Sequence, residues 1–437
     1  MSRLLVRFKS DLVIGSKKYI TDEWTNVPTA ITKLVGRNLY KQPSHPLAIL
    51  AKRIEKRLEP LGFTSYKGFD PVVSVHQNFD SLGFPDDHPG RSKSDTYYIN
   101  KDTLLRTHTS AHEIECFQTS PTPGYLITAD VYRRDTIDRT HYPVFHQIEG
   151  ARTWSSKDPQ LIKRLQDDLA AIPRPNNIEV EDNLPPFSET NPKQDNQSDE
   201  VTRLIGENLK RTLEFIVADL FKTPSSTVDK MGKDKAKGIS GGSPSEPAEK
   251  TKIRWVEAYF PWTSPSWEIE VFWKNEWLEV CGCGVVRQQV YDNSGMPDSV
   301  GWAFGIGLER SAMLLFKIPD IRLFWSSNPK FTDQFKEGEI SEFQDWSKFP
   351  SAYKDIAFWN DSNLHENDVM EVVRTFGKDL VENVQLVDTY HNPKSKKTSV
   401  CYRITYQSMD KTLTNEEIST IQNQIIDTLT AKGAVIR

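Results

Sequence analysis

Leu47, Leu50, Ile54 and Leu58 recur at helical spacing behind Pro46, which predicts a helix over residues 46–61 with proline in its first turn. A short strand is expected over Asp70–Val75, and strand-like segments follow at Thr103–Glu113, Tyr125–Arg134 and Pro143–Ala151. Further along, Leu204, Leu209, Leu213, Ile216, Val217 and Leu220 predict an amphipathic helix over Val201–Phe221. Strand patterns return at Arg254–Phe260, Trp267–Trp273 and Trp277–Arg287. The segment Trp302–Lys317 begins as strict alternation and passes into a helical run. The last ninety or so residues read strand (Ala352–Trp359), helix (Glu366–Phe376), strand (Val384–Thr389), strand (Ser399–Gln407), helix (Asn415–Ala431), strand (Ala434–Arg437).

Two stretches break this rhythm. Pro, Asn, Ser and acidic residues dominate 174–200, and Gly, Ser, Lys and Pro dominate 223–251. Neither has enough apolar surface to offset the cost of ordering, so both are expected to be mobile surface insertions. The divisions that follow are an N-terminal extension (1–38), a large α+β body (39–325) carrying both insertions, a linker (326–345) and a βαββαβ module (346–437).

Composition narrows the class. A chain of 437 residues with 37% hydrophobic and 26% charged residues suits a soluble protein of two or three domains. No apolar run approaches the ~18 residues of a membrane span. The net charge of -5 places any nucleic-acid contact on local patches rather than on the whole surface. Cys281 and Cys283 are two apart on one predicted strand, a spacing of about 6–7 Å that no disulfide bridges. With Cys116 and Cys401 they form no zinc pattern, and a reducing compartment follows. The opening residues carry Arg3, Arg7 and Lys9 with no acid before Asp11, in the manner of a mitochondrial presequence remnant.

Two segments carry chemistry. Residues 130–150 form an antiparallel hairpin in which Arg133 and Asp135 share one face and Phe145, Gln147 and Glu149 share another. A guanidinium beside an aromatic ring can grip phosphate and stack a flat base, although a salt-bridged surface hairpin has the same pattern. The second segment, Gly301–Arg310, is a glycine-punctuated strand entering a helix. There Arg310 falls in the first turn, where the helix dipole opposes a cation and an anionic partner would favour it. A tight packing corner is the alternative.

Taken together, the hairpin resembles motif 2 and Gly305–Arg310 motif 3 of the class II aminoacyl-tRNA synthetases, with the helix ending near Leu61 and the strand at Pro71 resembling motif 1. Thr107–His112, Thr140–Gly150 and Phe260–Thr263 resemble the phenylalanyl-tRNA synthetases, and the terminal ferredoxin-like module resembles the anticodon-binding domain of their single-chain mitochondrial members. The resemblance implies a class II catalytic domain, an antiparallel sheet flanked by helices, that joins phenylalanine to tRNA(Phe) through an adenylate. It uses ATP as a substrate with Mg2+, in the mitochondrial matrix, as a monomer off the membrane. Arg133 and Arg310 would act on the phosphates. His108, Thr109, Ser110, Ala111, His112, Gln147, Glu149, Phe260, Trp262 and Cys283 would bind phenylalanine, with Cys283 near the para position of its ring. Arg134, Asp135, His141, Tyr142, Pro143, Glu268, Glu270 and Gly284 would meet ATP or the acceptor end of the tRNA. No metal-ligand set is assigned. Asp135 stands where the motif usually has glutamate, and Trp262 where bacterial relatives have phenylalanine. An inactive, RNA-binding paralogue is the alternative from a different class.

Overall fold

A computed structural model describes residues 11–221, 250–273, 275–345, 349–360 and 364–437. The basic N-terminal residues 1–10 and nearly all of the second polar stretch lie outside the described residues.

The body is built on an eight-stranded sheet. Its strands in chain order are β1 (Phe63–Tyr66), β2 (Gly124–Tyr132), β3 (Val144–Ser155), β4 (Ile178–Glu181), β5 (Thr251–Glu257), β6 (Thr263–Trp273), β7 (Glu276–Val286) and β8 (Ser299–Gly307). Their spatial order is β1-β2-β3-β8-β7-β6-β5-β4. The β1 and β4 edges pair in parallel and every inner pair is antiparallel.

The two faces of this sheet differ in kind. One is covered by α1 (Pro46–Leu58), α2 (Leu161–Ala171), α3 (Asp199–Leu220) and α4 (Leu308–Leu315). Leu47, Leu50, Ile54 and Leu58 of α1 are fully buried there, together with Leu209 and Leu213 of α3 and Trp302 and Ile306 of β8. Each such side chain contributes about 1.5–3 kcal/mol. The other face carries Tyr125, Ile127, Ala129, Ala151 and Ala303. Among the described residues it meets short elements: the helices Glu113–Thr119 and Gln288–Asn293 and the turns Asp80–Leu82 and Thr109–His112. Small residues and short helices leave this face open, and the site lies on it.

Three expectations are corrected. The strand predicted over Thr103–Glu113 stops at Leu105 and gives way to a turn and the helix Glu113–Thr119. The Thr109 and Ser110 hydroxyls donate to Glu149 on the neighbouring strand, and such side-chain bonds compete with a ladder. The polar stretch 174–200 is ordered. It contributes β4, Asn191 exchanges hydrogen bonds with the Ser266 backbone (2.7 and 2.8 Å), and Gln194 donates to the carbonyls of Ser264 and Val286. Backbone groups at the ends of β6 and β7 thus satisfy side chains that have no apolar surface to bury. Residues 326–345 are not a free linker either, because Phe331, Phe335 and Phe343 pack into the body beside Phe316 and Phe324.

The terminal module comprises β9 (Ala352–Trp359), α5 (Glu366–Gly377), β10 (Val381–His391), β11 (Thr398–Tyr406), α6 (Asn415–Ala431) and β12 (Val435–Ile436). Its sheet order, β10-β11-β9-β12, is that of the ferredoxin-like fold expected from the pattern. Ile356, Phe358 and Ile404 face α5 and α6, while Tyr353 and Tyr390 on the opposite side stay exposed. α5 docks on the body: Tyr97 donates to Glu371 (2.8 Å), and Asn367 donates to the Ser94 carbonyl (3.0 Å).

Candidate active site

Strand alternation explains which side chains reach the open face. On β3, Gln147 and Glu149 point to it, and their partners across β8 are Gly307 and Gly305. Two adjoining cavities result, of about 200 and 280 Å³. Arg133, Gln147, Glu279 and Gly305 line both, so the two spaces meet at these four residues.

The first cavity has an aromatic wall. Phe84, His108 and Trp262 stack with centroids 5.2–5.5 Å apart, and Phe260 packs on Trp262 at 5.9 Å. Burial, reinforced by the Arg133 charge, lowers His108 to about 3, so its ring is neutral. Opposite the wall stands Glu149, one carboxylate oxygen accepting from Ser110 (2.6 Å) and Thr109 (2.8 Å). Burial raises this carboxyl to about 7. Gln147 accepts from the Thr109 backbone (3.3 Å) beside it. An apolar slot with one acidic end suits an amine carrying a flat apolar group.

The second cavity is polar. Arg133 donates through Nε to the Thr107 carbonyl (2.8 Å) and lies over the Phe145 ring (5.2 Å), which leaves its two terminal nitrogens for a ligand. Arg310 and Glu279 approach within 3.5 Å at the other end. Asp138 accepts from His141 (2.7 Å) and raises its pKa. Beneath them Glu309 accepts from the His146 backbone and ring (2.8 and 2.6 Å) and fixes the junction of β8 with α4. Cations at both ends with an aromatic ring between them make a site for a polyphosphate bearing a base. Glu279 on its floor, with Glu268 nearby, offers hard oxygen donors. Burial and repulsion from Glu279 and Glu270 hold the Glu268 carboxyl above its ordinary range, which a divalent cation would relieve.

Of the residues singled out from sequence, His108, Ser110, Gln147, Glu149, Phe260, Trp262 and Arg133 gather around the first cavity. Arg133, Asp135, His141, Tyr142 and Arg310 gather around the second. Others do not reach either. His112 turns away to stack on Phe69 (4.4 Å) and contact Arg106 (3.0 Å). Arg134 is buried against the terminal module, donating to Asp368 (2.9 Å). Thr109, Ala111 and Pro143 line neither cavity, and Thr109 acts on the site only through its hydrogen bonds to Glu149 and Gln147. Glu270 is engaged by Arg254, and Gly284 is a packing position, since a Cβ there would lie 2.6 Å from the Pro265 carbonyl oxygen. Cys283 borders the first cavity, but the register pairs it with Trp267 and Phe304 in the helix-covered core. Its thiol therefore points away, and Gly282 and Ala303 take the inward positions. Gly305 falls in the glycine-punctuated junction read from sequence, whereas Glu279, Gly282 and Ala303 were not singled out there. A single glycine, an alanine and an isolated glutamate carry no motif, and only cross-strand register reveals them.

Comparison with known proteins places this geometry. The description "tRNA synthetases class II core domain (F)" matches residues 30–161 and 244–335, and "Ferredoxin-fold anticodon binding domain" matches 347–437. The fold is thus that of a class II aminoacyl-tRNA synthetase with a ferredoxin-fold anticodon-binding domain. The chain is 48% identical to the mitochondrial phenylalanine–tRNA ligase of Saccharomyces cerevisiae, over 97% of this chain and 94% of that one. It is 40% identical to the mitochondrial enzyme of Mus musculus (95% and 86% covered) and 39% to the chloroplastic/mitochondrial enzyme of Arabidopsis thaliana (94% and 82%). It belongs to the mitochondrial phenylalanine–tRNA ligase family.

Proposed function

We propose that the chain activates phenylalanine with ATP and transfers it to tRNA(Phe) for translation in the mitochondrion, acting in the matrix. The observation that carries this reading is the pair of cavities meeting at Arg133 and Gln147. The phenyl ring enters between Phe260, Trp262 and the small residues Gly282 and Ala303. The ammonium meets Glu149 and Gln147, which directs the carboxylate toward Arg133. ATP occupies the second cavity with its base over Phe145, its α-phosphate at Arg133 and its γ-phosphate at Arg310. The amino-acid carboxylate then attacks the α-phosphorus in line as pyrophosphate leaves, and a ribose hydroxyl of the tRNA end later attacks the acyl-adenylate. Neither step needs a protein nucleophile; rate comes from alignment and from arginines placed where charge develops. Mg2+ arriving with ATP would rest on Glu279 and Glu268 and neutralise phosphate charge.

The open face of the terminal sheet suits RNA. Arg403 lies over Tyr353 (4.4 Å), and Arg437 lies over both Trp359 (5.7 Å) and Tyr390 (5.3 Å). Such aromatic–guanidinium pairs stack bases and neutralise phosphates. A monomer is favoured because the chain itself covers α1, the motif 1 helix. Arg53 and Arg57 pair with Asp219 of α3, and Lys52 pairs with Glu337. The inactive reading finds no support, since Arg133, Glu149 and Arg310 are present and converge.

ATP–pyrophosphate exchange run with each of the twenty amino acids tests the assignment. Exchange with phenylalanine, weaker with tyrosine, is expected. No exchange from folded protein that still binds tRNA would sink it.

A further inference from the structure

Behind Glu149 lies a group of buried polar atoms that the reaction above does not use. Glu113 is fully buried at the start of its short helix, and among the described residues neither of its carboxylate oxygens has a hydrogen-bond partner. The hydroxyls of Tyr125 and Tyr291 are also buried and unpartnered, as is the second carboxylate oxygen of Glu149.

These atoms share one compartment. Tyr125 lies opposite Ala151 on the sheet and Ile127 opposite Glu149, so Tyr125 and Glu149 point to the same face. Ala303, Gly305 and Gly301 of β8 complete the floor; a Cβ at Gly301 would sit 2.5 Å from the Tyr291 hydroxyl. The roof is the helix bearing Glu113, whose Phe117 touches the rings of Tyr125 (5.3 Å) and Tyr291 (5.0 Å). Ala303 and Glu149 belong to both this compartment and the phenylalanine cavity.

A carboxylate buried without donors is costly in its charged form and keeps its proton. Burial and the neighbouring Glu149 raise the Glu113 carboxyl well above its ordinary range. Orphaned polar atoms grouped in one buried space are the usual setting of ordered water. We propose that Glu113 is a positioning residue: a neutral acid that joins Tyr125 and Tyr291 in one hydrogen-bonded network with ordered water, donates toward the free oxygen of Glu149, and leaves Glu149 as the single anion facing the substrate ammonium.

The groups around Glu149 are accounted for. Ser110 and Thr109 donate from the preceding turn, neutral His108 stands across the cavity, and Glu113 and Cys116 face it from the short helix, while Glu115 points outward beside His112. Tyr125 comes from β2 and Tyr291 from Gln288–Asn293, while β8 offers only Ala303 and Gly305. Arg133 at the cavity mouth is coupled to Asp135 and Glu279 instead. Phenylalanine binding then requires Glu149 to release any proton it holds to solvent, as Glu149–COOH gives Glu149–COO⁻ paired with the ammonium.

This inference rests on phenylalanine being the substrate, and the test separates the two. Calorimetric titration of the full chain with phenylalanine, in phosphate and in Tris, counts protons released on binding. Proton release on binding is expected near neutral pH and should fall away as the pH is raised to 8.5. Glu113→Leu removes the donor. It should raise the release at pH 7 toward a full proton and weaken phenylalanine binding about tenfold, leaving ATP binding unaltered. Glu113→Gln, neutral and still a donor, should restore the wild-type profile. Tyr125→Phe, which preserves packing, should move the release in the same direction as Glu113→Leu by less, and serves if the leucine variant does not fold. Binding with no pH-dependent proton release, or equal weakening by Gln and Leu, overturns the role of Glu113. A chain that does not bind phenylalanine at all overturns the substrate assignment instead.

Discussion

Gly282 is the position where one added methyl group has the most readable consequence. A Cβ built there lies 2.5 Å from the tip of Phe260, whereas ordinary contacts begin near 3.4 Å. Both residues line the phenylalanine cavity, so in Gly282→Ala the Phe260 ring must shift by about 1 Å, a misplacement of the size that can cost ~100-fold at a reacting centre. The penalty of forcing a methyl into a packed wall is about 1–3 kcal/mol. Because Phe260 is only partly buried it can yield outward, so the cost should fall on substrate fit more than on folding. The KM for phenylalanine in ATP–pyrophosphate exchange should rise ~10–100-fold, with the KM for ATP within about twofold. The thermal midpoint should drop by no more than a few degrees. An unaltered KM for phenylalanine, or a matching rise in the KM for ATP, would refute the assignment of this wall to the amino acid.

Arg133→Lys keeps the charge but loses the two free guanidinium nitrogens, and should lower kcat of exchange by ~100–1,000-fold; a loss below tenfold in single-turnover assays would remove Arg133 from the phosphate. Replacing Trp359 and Tyr390 together by alanine should raise the KM for tRNA in aminoacylation and leave pyrophosphate exchange untouched, so a parallel loss in both assays counts against the open sheet face as the RNA surface. Glu113 gives a pH signature in stability. Its raised pKa means the folded chain binds a proton that the unfolded chain has lost above pH ~4.5, so stability falls as pH rises past that point. Glu113→Gln should therefore be more stable than wild type by a margin that grows between pH 5 and pH 8 in chemical denaturation; a margin independent of pH would show that Glu113 is not held neutral.

Periodicity along the chain determined a great deal. The spacing of Leu47, Leu50, Ile54 and Leu58 specifies an amphipathic helix whatever it packs on, and the alternation at Trp302, Phe304 and Ile306 specifies a strand with one apolar face. The βαββαβ order of the last module follows from the same local rules. Arg133, Gln147, Glu149 and Arg310 were legible because motifs are contiguous and their side-chain directions follow from strand parity. What tertiary structure decided was everything set by register between distant strands. Cys283 reads as a pocket residue until pairing with Trp267 and Phe304 sends its thiol into the helix-covered core. Gly282, Ala303 and Glu279 then come to the cavity from positions with no motif. His112 and Arg134 sit within recognisable motifs, yet Phe69 and Asp368, far off in sequence, draw them away. The stretch 174–200 looked too polar to order because its own apolar content is low, and it is held by carbonyls of β6 and β7 that local composition does not reveal. Secondary structure follows from neighbours within a turn or two. A site follows from which strand lies beside which, and a shift of one residue there exchanges every inward side chain for an outward one.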